Sequence, residues 1–114
     1  MAAYDKHTYF LEQLIHNMQK IDEDRRDIEW ISREMYLFHE GRIHQNTMCD
    51  LLVGFFDNTG LCIELKGSRA KREKAIAQLN SGNDLMRNRY GFLEVRNKIV
   101  YYTGGRYSYE NIYL

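Results

Sequence analysis

Apolar positions along the first part of the chain recur at three and four residues, and those of the second part at two. Between Tyr4 and Ile21, the spacing of Phe10, Leu11, Leu14, Ile15, Met18 and Ile21 predicts an amphipathic helix. Asp22 and Asp24 are placed to cap a second helical piece, DRRDIEWISREM, with Ile28, Ile31 and Met35 on one face. YLFHEGRIH suggests a short first strand, Tyr36 to about Glu40, broken at Gly41. Met48–Phe56 and Leu61–Lys66 carry the strongest strand signals, and the DNTG between them marks a hairpin with Gly60 available for a positive φ. Ser68 is expected to cap a helix through RAKREKAIAQL that buries Ala75, Ile76 and Leu79, with NSGN at 80–83 kinking or ending it. FLEVRNKIVYYTGG and YSYENIYL complete the pattern as strands that turn at Asn97-Lys98 and Gly104-Gly105. The expected order is αα-β-β-β-α-β-β, an α/β fold with helices flanking a mixed β-sheet.

Composition narrows this picture. The 114 residues contain no proline and no Gly/Ser run, so a single domain over residues 1–114 is expected. An apolar fraction of 44% with nine tyrosines and five phenylalanines argues for a folded globule. No run approaches the roughly 18 apolar residues of a membrane span, and MAAYDKHTYF lacks a signal-peptide core. A soluble intracellular protein, in a cytoplasm or a host cell, is the expectation. Two cysteines, Cys49 and Cys62, are too few for a disulfide scaffold or a zinc site and read as small buried hydrophobes.

Zero net charge conceals a division. Residues 1–65 hold 6 Lys/Arg against 12 Asp/Glu, and residues 66–114 hold 10 against 4. A basic C-terminal half suits phosphates while an acidic N-terminal half suits cations, or else the two halves attract each other in the fold or in a dimer.

Candidate chemistry centres on CDLLVGFFDNTGLCIELKG, where charged residues stand in apolar strands. Alternation puts Glu64 and Lys66 on one face with Cys62, and Asp50 on a face with Leu52 and Gly54. A two-residue Asn58-Thr59 loop would set Asp50 on the wrong side. An odd-numbered loop, such as a type I turn closed by a bulge at Gly60, brings Asp50, Glu64 and Lys66 together, and a DNTG turn favours it. Two desolvated carboxylates repel unless something compensates, and a hard divalent cation does so. The competing account is a cross-strand ion pair of Lys66 with Asp50 or Glu64 at a sheet end. The triplet E-x-K alone carries no weight, because nine Glu and six Lys in 114 residues predict roughly 0.5 chance occurrences.

With apolar residues before Glu64 and a basic helix after Lys66, the pattern D-x13-E-L-K resembles the PD-(D/E)xK nuclease superfamily. That group includes Holliday-junction resolvases, restriction enzymes and small phage and viral nucleases. The resemblance implies an αβββαβ restriction-endonuclease-like core over about residues 20–102. It implies Mg²⁺ or Mn²⁺ held by Asp50, Glu64 and the Leu65 carbonyl, with Lys66 at the attacking water. Cys49 stands where the family's name has proline.

The resemblance also implies an acid from the preceding helix, for which Glu29 is best placed and Glu12, Glu23 and Glu34 are rivals. A polar residue on the following helix is matched by Gln78, twelve residues beyond Lys66. Arg69, Lys71, Arg72 and Lys74 would hold a nucleic-acid backbone, DNA or RNA. No spacing selects His39 or His44 as a ligand, and the C-terminal tyrosines alternate as sheet-packing residues do. A metal-dependent nuclease, acting as a homodimer or within a larger assembly, is therefore the expectation. The alternative is an inactive nuclease-fold module that binds nucleic acid or a protein.

Overall fold

The fold is given by a computed structural model that describes residues 6–17, 27–33, 37–39, 42–44, 49–103 and 106–114. Met18 and Ile21, the proposed caps Asp22 and Asp24, and the turn at Gly104-Gly105 lie outside the described residues. In chain order the elements are helix α1 (Lys6–His16) and strands β1 (Ile28–Arg33), β2 (Leu37–His39), β3 (Arg42–His44), β4 (Leu51–Phe55) and β5 (Thr59–Lys66). A 3₁₀ turn (Arg69–Lys71), helix α2 (Arg72–Asn88) and strands β6 (Glu94–Thr103) and β7 (Arg106–Ile112) follow. Five strands form one mixed sheet in the order β1-β4-β5-β6-β7, while β2 and β3 pair as a separate ribbon. Among the described residues only the β5–β6 pairing is parallel; α2 provides the crossover that a parallel pair requires.

Alternation splits the sheet into two apolar faces. Leu51, Val53, Phe55, Leu61, Ile63 and Leu65 bury against Leu11 and Leu14 of α1. On the reverse face Leu52, Cys62, Val95 and Ile99 bury against Ala75, Leu79 and Met86 of α2. Each fully buried leucine contributes roughly 1.5–3 kcal/mol, so helix-on-sheet burial outweighs the weak local preferences of short segments. The C-terminal tyrosines join these faces. Phe10 of α1 stacks on Tyr102 at 4.6 Å, and the Tyr107 hydroxyl donates to the Phe10 carbonyl at 2.6 Å.

Residues 28–33 are a strand, not the second helix that their spacing suggests, and a bulge explains the difference. Ile28 pairs with Phe55 and Trp30 with Gly54, so Glu29 is an extra residue. The slip puts Ile28 and Ile31 on the α1 face, three positions apart as in a helix, while Trp30 turns to the α2 face. Gly54 is what admits the indole. A Cβ there would stand 2.4, 2.5 and 2.8 Å from three Trp30 ring atoms. Gly54→Ala is expected to cost about 1–3 kcal/mol by overpacking. Denaturant unfolding checks the loss, and the near-ultraviolet circular dichroism of the single tryptophan checks its displacement.

NSGN does not end α2, which runs on to Asn88. At Gly82 the helix meets the sheet, where a Cβ would lie 2.7 Å from the Cys49 Sγ and 3.3 Å from the Cys62 Sγ. The helical cost of glycine, about 1 kcal/mol, is offset by that close approach. Nor does the chain turn at Asn97-Lys98, which lie inside β6. Asn97 Nδ2 donates to Asn83 Oδ1 of α2 at 3.3 Å, and Lys98 Nζ sits 4.5 Å from the ring centre of Tyr109 on β7, so both polar side chains find partners on neighbouring elements. Among the described residues no helix is long and apolar enough to cross a membrane.

Candidate functional site

Loop length decides whether the charged residues of β4 and β5 meet. Leu51 pairs with Ile63, Leu52 with Cys62, Val53 with Leu61 and Gly54 with Gly60, so Asp50 falls opposite Glu64. The connection is the odd one. Asn58 N–H donates to the Phe55 carbonyl, closing a turn over Phe56 and Asp57, and Asn58 takes φ 65°. The positive φ therefore belongs to Asn58, which tolerates the left-handed region, and not to Gly60. Asp57 Oδ1 fixes the turn by accepting from the Thr59 N–H at 3.0 Å and its hydroxyl at 2.6 Å. Gly60 serves packing instead: a Cβ there would lie 2.5 Å from Met86 Cε.

At the end of the sheet remote from this turn, Asp50 and Glu64 hold each other through the backbone. The Asp50 N–H donates to Glu64 Oε1 at 2.9 Å, and the Leu65 N–H donates to Asp50 Oδ2 at 2.8 Å. Lys66 Nζ lies 3.0 Å from Glu64 Oε2, an oxygen that is buried without a hydrogen bond of good geometry. In an extended strand a residue's carbonyl leaves on the same edge as its N–H, so the Leu65 carbonyl also faces the Asp50 side. The site thus gathers two carboxylates, one ammonium and one main-chain edge where β4 begins and β5 ends.

The Glu64 side chain is only 1% exposed. Burial first, then the negative charge of Asp50 and a carboxyl–carboxyl hydrogen bond with it, push its pKa up to about 8, against the opposing pull of Lys66. Lys66 alone therefore does not neutralise the pair. Beneath them lie the two cysteines, both free. A hydrogen bond with Cys62, then burial, then the charges of Glu64 and Asp50 hold the Cys49 thiol well above its usual range. It stays protonated as a small buried group.

The other sequence candidates are placed as follows. Glu29 is the exposed bulge residue of β1, not a helix acid. Its neighbour Ile28 pairs with Phe55, five residues along β4 from Asp50, about 16 Å at strand rise. Glu29 is therefore not brought to Asp50. Glu12 is on α1, and Glu23 and Glu34 lie outside the described residues, as do the side chains of His39 and His44. Among the described residues no group of three or more His, Cys, Asp or Glu side chains is arranged so that all could hold one metal ion. Gln78 is on α2 and half-buried, with its Oε1 inaccessible and without a hydrogen bond.

The basic cluster begins where β5 leaves the sheet, but without the expected cap, since Ser68 makes no side-chain capping bond. Lys71 and Lys74 are exposed. Arg72 is held by both oxygens of Glu110, with Nε at 2.9 Å from Oε1 and Nη2 at 3.0 Å from Oε2. The Arg69 guanidinium lies 4.5 Å over the Tyr101 ring, whose hydroxyl donates to Glu110 Oε1 at 3.1 Å. Tyr101 pairs with Lys66 across the parallel strands, so this network adjoins the carboxylates. Sequence reasoning did not find Tyr101 or Glu110 there, because only the β5–β6 and β6–β7 registers bring them to the site. No protein-family model, no curated protein and no solved structure matches the chain.

Proposed function

We propose that the chain is a metal-dependent nuclease of the PD-(D/E)xK type that hydrolyses nucleic-acid phosphodiester bonds. One observation carries this reading: Asp50 and Glu64 meet at a strand junction, with Glu64 buried, its Oε2 lacking a hydrogen bond, and Lys66 3.0 Å away. The order α1-β1-β4-β5-α2-β6 in the main sheet supports it, since it follows the αβββαβ sequence of the resemblance. The donor set fits a hard cation: Asp50, Glu64 and the Leu65 carbonyl offer oxygen alone. Bound Mg²⁺ or Mn²⁺ would neutralise the carboxylates and act as a Lewis acid toward the phosphodiester.

The remaining chemistry belongs to the chain's own residues. Lys66, 13% exposed, keeps its ammonium at the site mouth, where it orients the attacking water and balances charge on the phosphate. Hydrogen bonds from the Asp50 and Leu65 amides fix the carboxylates before substrate arrives. Lys71, Lys74 and Arg69 offer positive charge to the strand, while Arg72 first has to leave Glu110.

A labelled oligonucleotide, as DNA and as RNA, is expected to be cut in Mn²⁺ and left intact in EDTA. Lys66→Ala should slow cutting at least about a hundredfold, the scale of a lost positioned acid–base or charge-stabilising group. Equal cutting by the Lys66→Ala protein would contradict this assignment. The gathering of only two acids among the described residues favours a second reading, an inactive module of the same fold. Salt-sensitive binding of the oligonucleotide without cleavage in any divalent metal would establish it.

A further inference from the structure

A second site is built where β1, the β4–β5 turn and the end of α2 converge. Trp30, Tyr90 and Phe92 form the walls of a cleft of about 480 Å³, with Glu29, Ser32 and Asn58 completing its lining. That size falls within the range of about 300–1,000 Å³ typical of small-molecule sites. Trp30 meets Tyr90 at 5.7 Å with an interplanar angle of 66°, and Phe92 at 6.0 Å with 54°, so the rings make a concave corner. Three features aim this corner outward. The bulge at Glu29 turns Trp30 to the α2 face, Gly54 lets the indole lie on β4, and Tyr90 remains 44% exposed.

The polar groups of the cleft are unspent. Among the described residues, the Glu29 carboxylate, the Ser32 hydroxyl, the Asn58 side-chain amide and the Trp30 indole N–H make no hydrogen bond. An aromatic corner with one carboxylate would by itself suit a compact organic cation. The added hydroxyl, amide and indole N–H ask for a ligand with both donors and acceptors on its edge and a flat apolar face. A nucleobase has that combination, whereas a quaternary ammonium has no edge to read.

We propose that this cleft binds one unpaired nucleobase, stacked against Trp30 and Tyr90 with its edge toward Glu29, Ser32 and Asn58. Trp30 and Asp50 are on the same face of the sheet, Trp30 opposite Gly54, four residues along β4 from Asp50. The separation along the strand is about 13 Å, or about four steps of a stacked nucleic-acid strand at 3.4 Å each. The cleft thereby deepens the nuclease reading: the substrate is a strand with an unpaired base a few nucleotides from the bond that is cut. Only the source of the base rests on that reading.

Trp30 is the single tryptophan, so its fluorescence reports the cleft directly. Titration in EDTA with a mixed-sequence single-stranded decanucleotide is expected to give saturable quenching. Tyr90→Ala and Glu29→Gln, both at accessible positions, should each weaken the affinity at least about fivefold. Adenosine and choline are titrated in parallel. A strand that binds at least tenfold more tightly than adenosine identifies a strand as the source, and equal affinities identify a free nucleoside. Absence of saturable quenching by either, quenching by choline in their place, or unchanged affinity in both variants overturns the proposal. The Asp50→Ala protein is expected to keep the full quenching, so failure of the cleft and failure of hydrolysis are read separately.

Discussion

At pH 9 the Glu64→Gln protein is expected to be more stable than the native chain by about 3 kcal/mol, and by pH 4 the advantage should vanish. The native carboxyl is held at about 8, above the 4.5 of an unperturbed glutamate. A raised pKa means the folded state holds the proton more tightly than the unfolded chain. The stability tied to that proton is complete below about pH 4.5 and is lost as pH rises through 8. At roughly 1.36 kcal/mol per unit, the full interval corresponds to between 4 and 5 kcal/mol. Glutamine recovers only part of it. Its amide oxygen still accepts from the Asp50 N–H, but its NH2 replaces the oxygen 3.0 Å from Lys66 Nζ, so Lys66 loses its ion-pair partner and meets a donor in its place. Urea unfolding of both proteins from pH 4 to pH 9 checks the slope. Parallel curves would show that Glu64 carries no unusual charge burden.

The second large effect concerns Asp50→Ala, expected to lower Mn²⁺-dependent hydrolysis at least about a thousandfold while the fold persists. A catalytic metal supplies several kcal/mol of transition-state stabilisation, and about 4 kcal/mol is a thousandfold. The structural consequence is smaller because two terms oppose. The Leu65 N–H loses a charged acceptor at 2.8 Å, a loss of about 1.5–3 kcal/mol. Glu64 loses the neighbouring charge that helps to raise its pKa, which returns part of that cost above neutral pH. Thermal unfolding at pH 8 within a few degrees of the native chain, together with loss of cleavage, is the expected pair of results. A well-folded variant that still cuts would remove Asp50 from the site.

The central hairpin was legible because side-chain alternation has a fixed period and only loop parity remained to be chosen. An odd loop puts Asp50 opposite Glu64, and DNTG favoured one. The residue with positive φ was not legible. Phe56 reads as the last strand residue, but it is 70% exposed in the turn, which starts one position earlier and passes the left-handed role to Asn58. Residues 28–33 misled for a definite reason: a bulge imposes three-residue spacing on Ile28 and Ile31, and no local signal separates that from a helix. Glu29, the best placed of the helix acids that the resemblance implies, is instead the bulge residue of a strand and lines the aromatic cleft.

Gly82 and Asn97-Lys98 misled in the same way. Each looks like a break in isolation, and each is held in regular structure by a partner distant in sequence. The Arg72–Glu110 pairing likewise joins residues 38 positions apart, beyond any local pattern. Local chemistry was thus readable where one hairpin contains it, and unreadable where three strands and a helix assemble it.

Isothermal titration of the native protein with Mn²⁺ at pH 8, beside the Asp50→Ala protein, addresses the two-carboxylate centre most directly. One saturable site in the native chain, absent from the variant, is the predicted result. Titration curves that are flat for both proteins, or identical and saturable in both, would contradict a divalent cation held between Asp50 and Glu64.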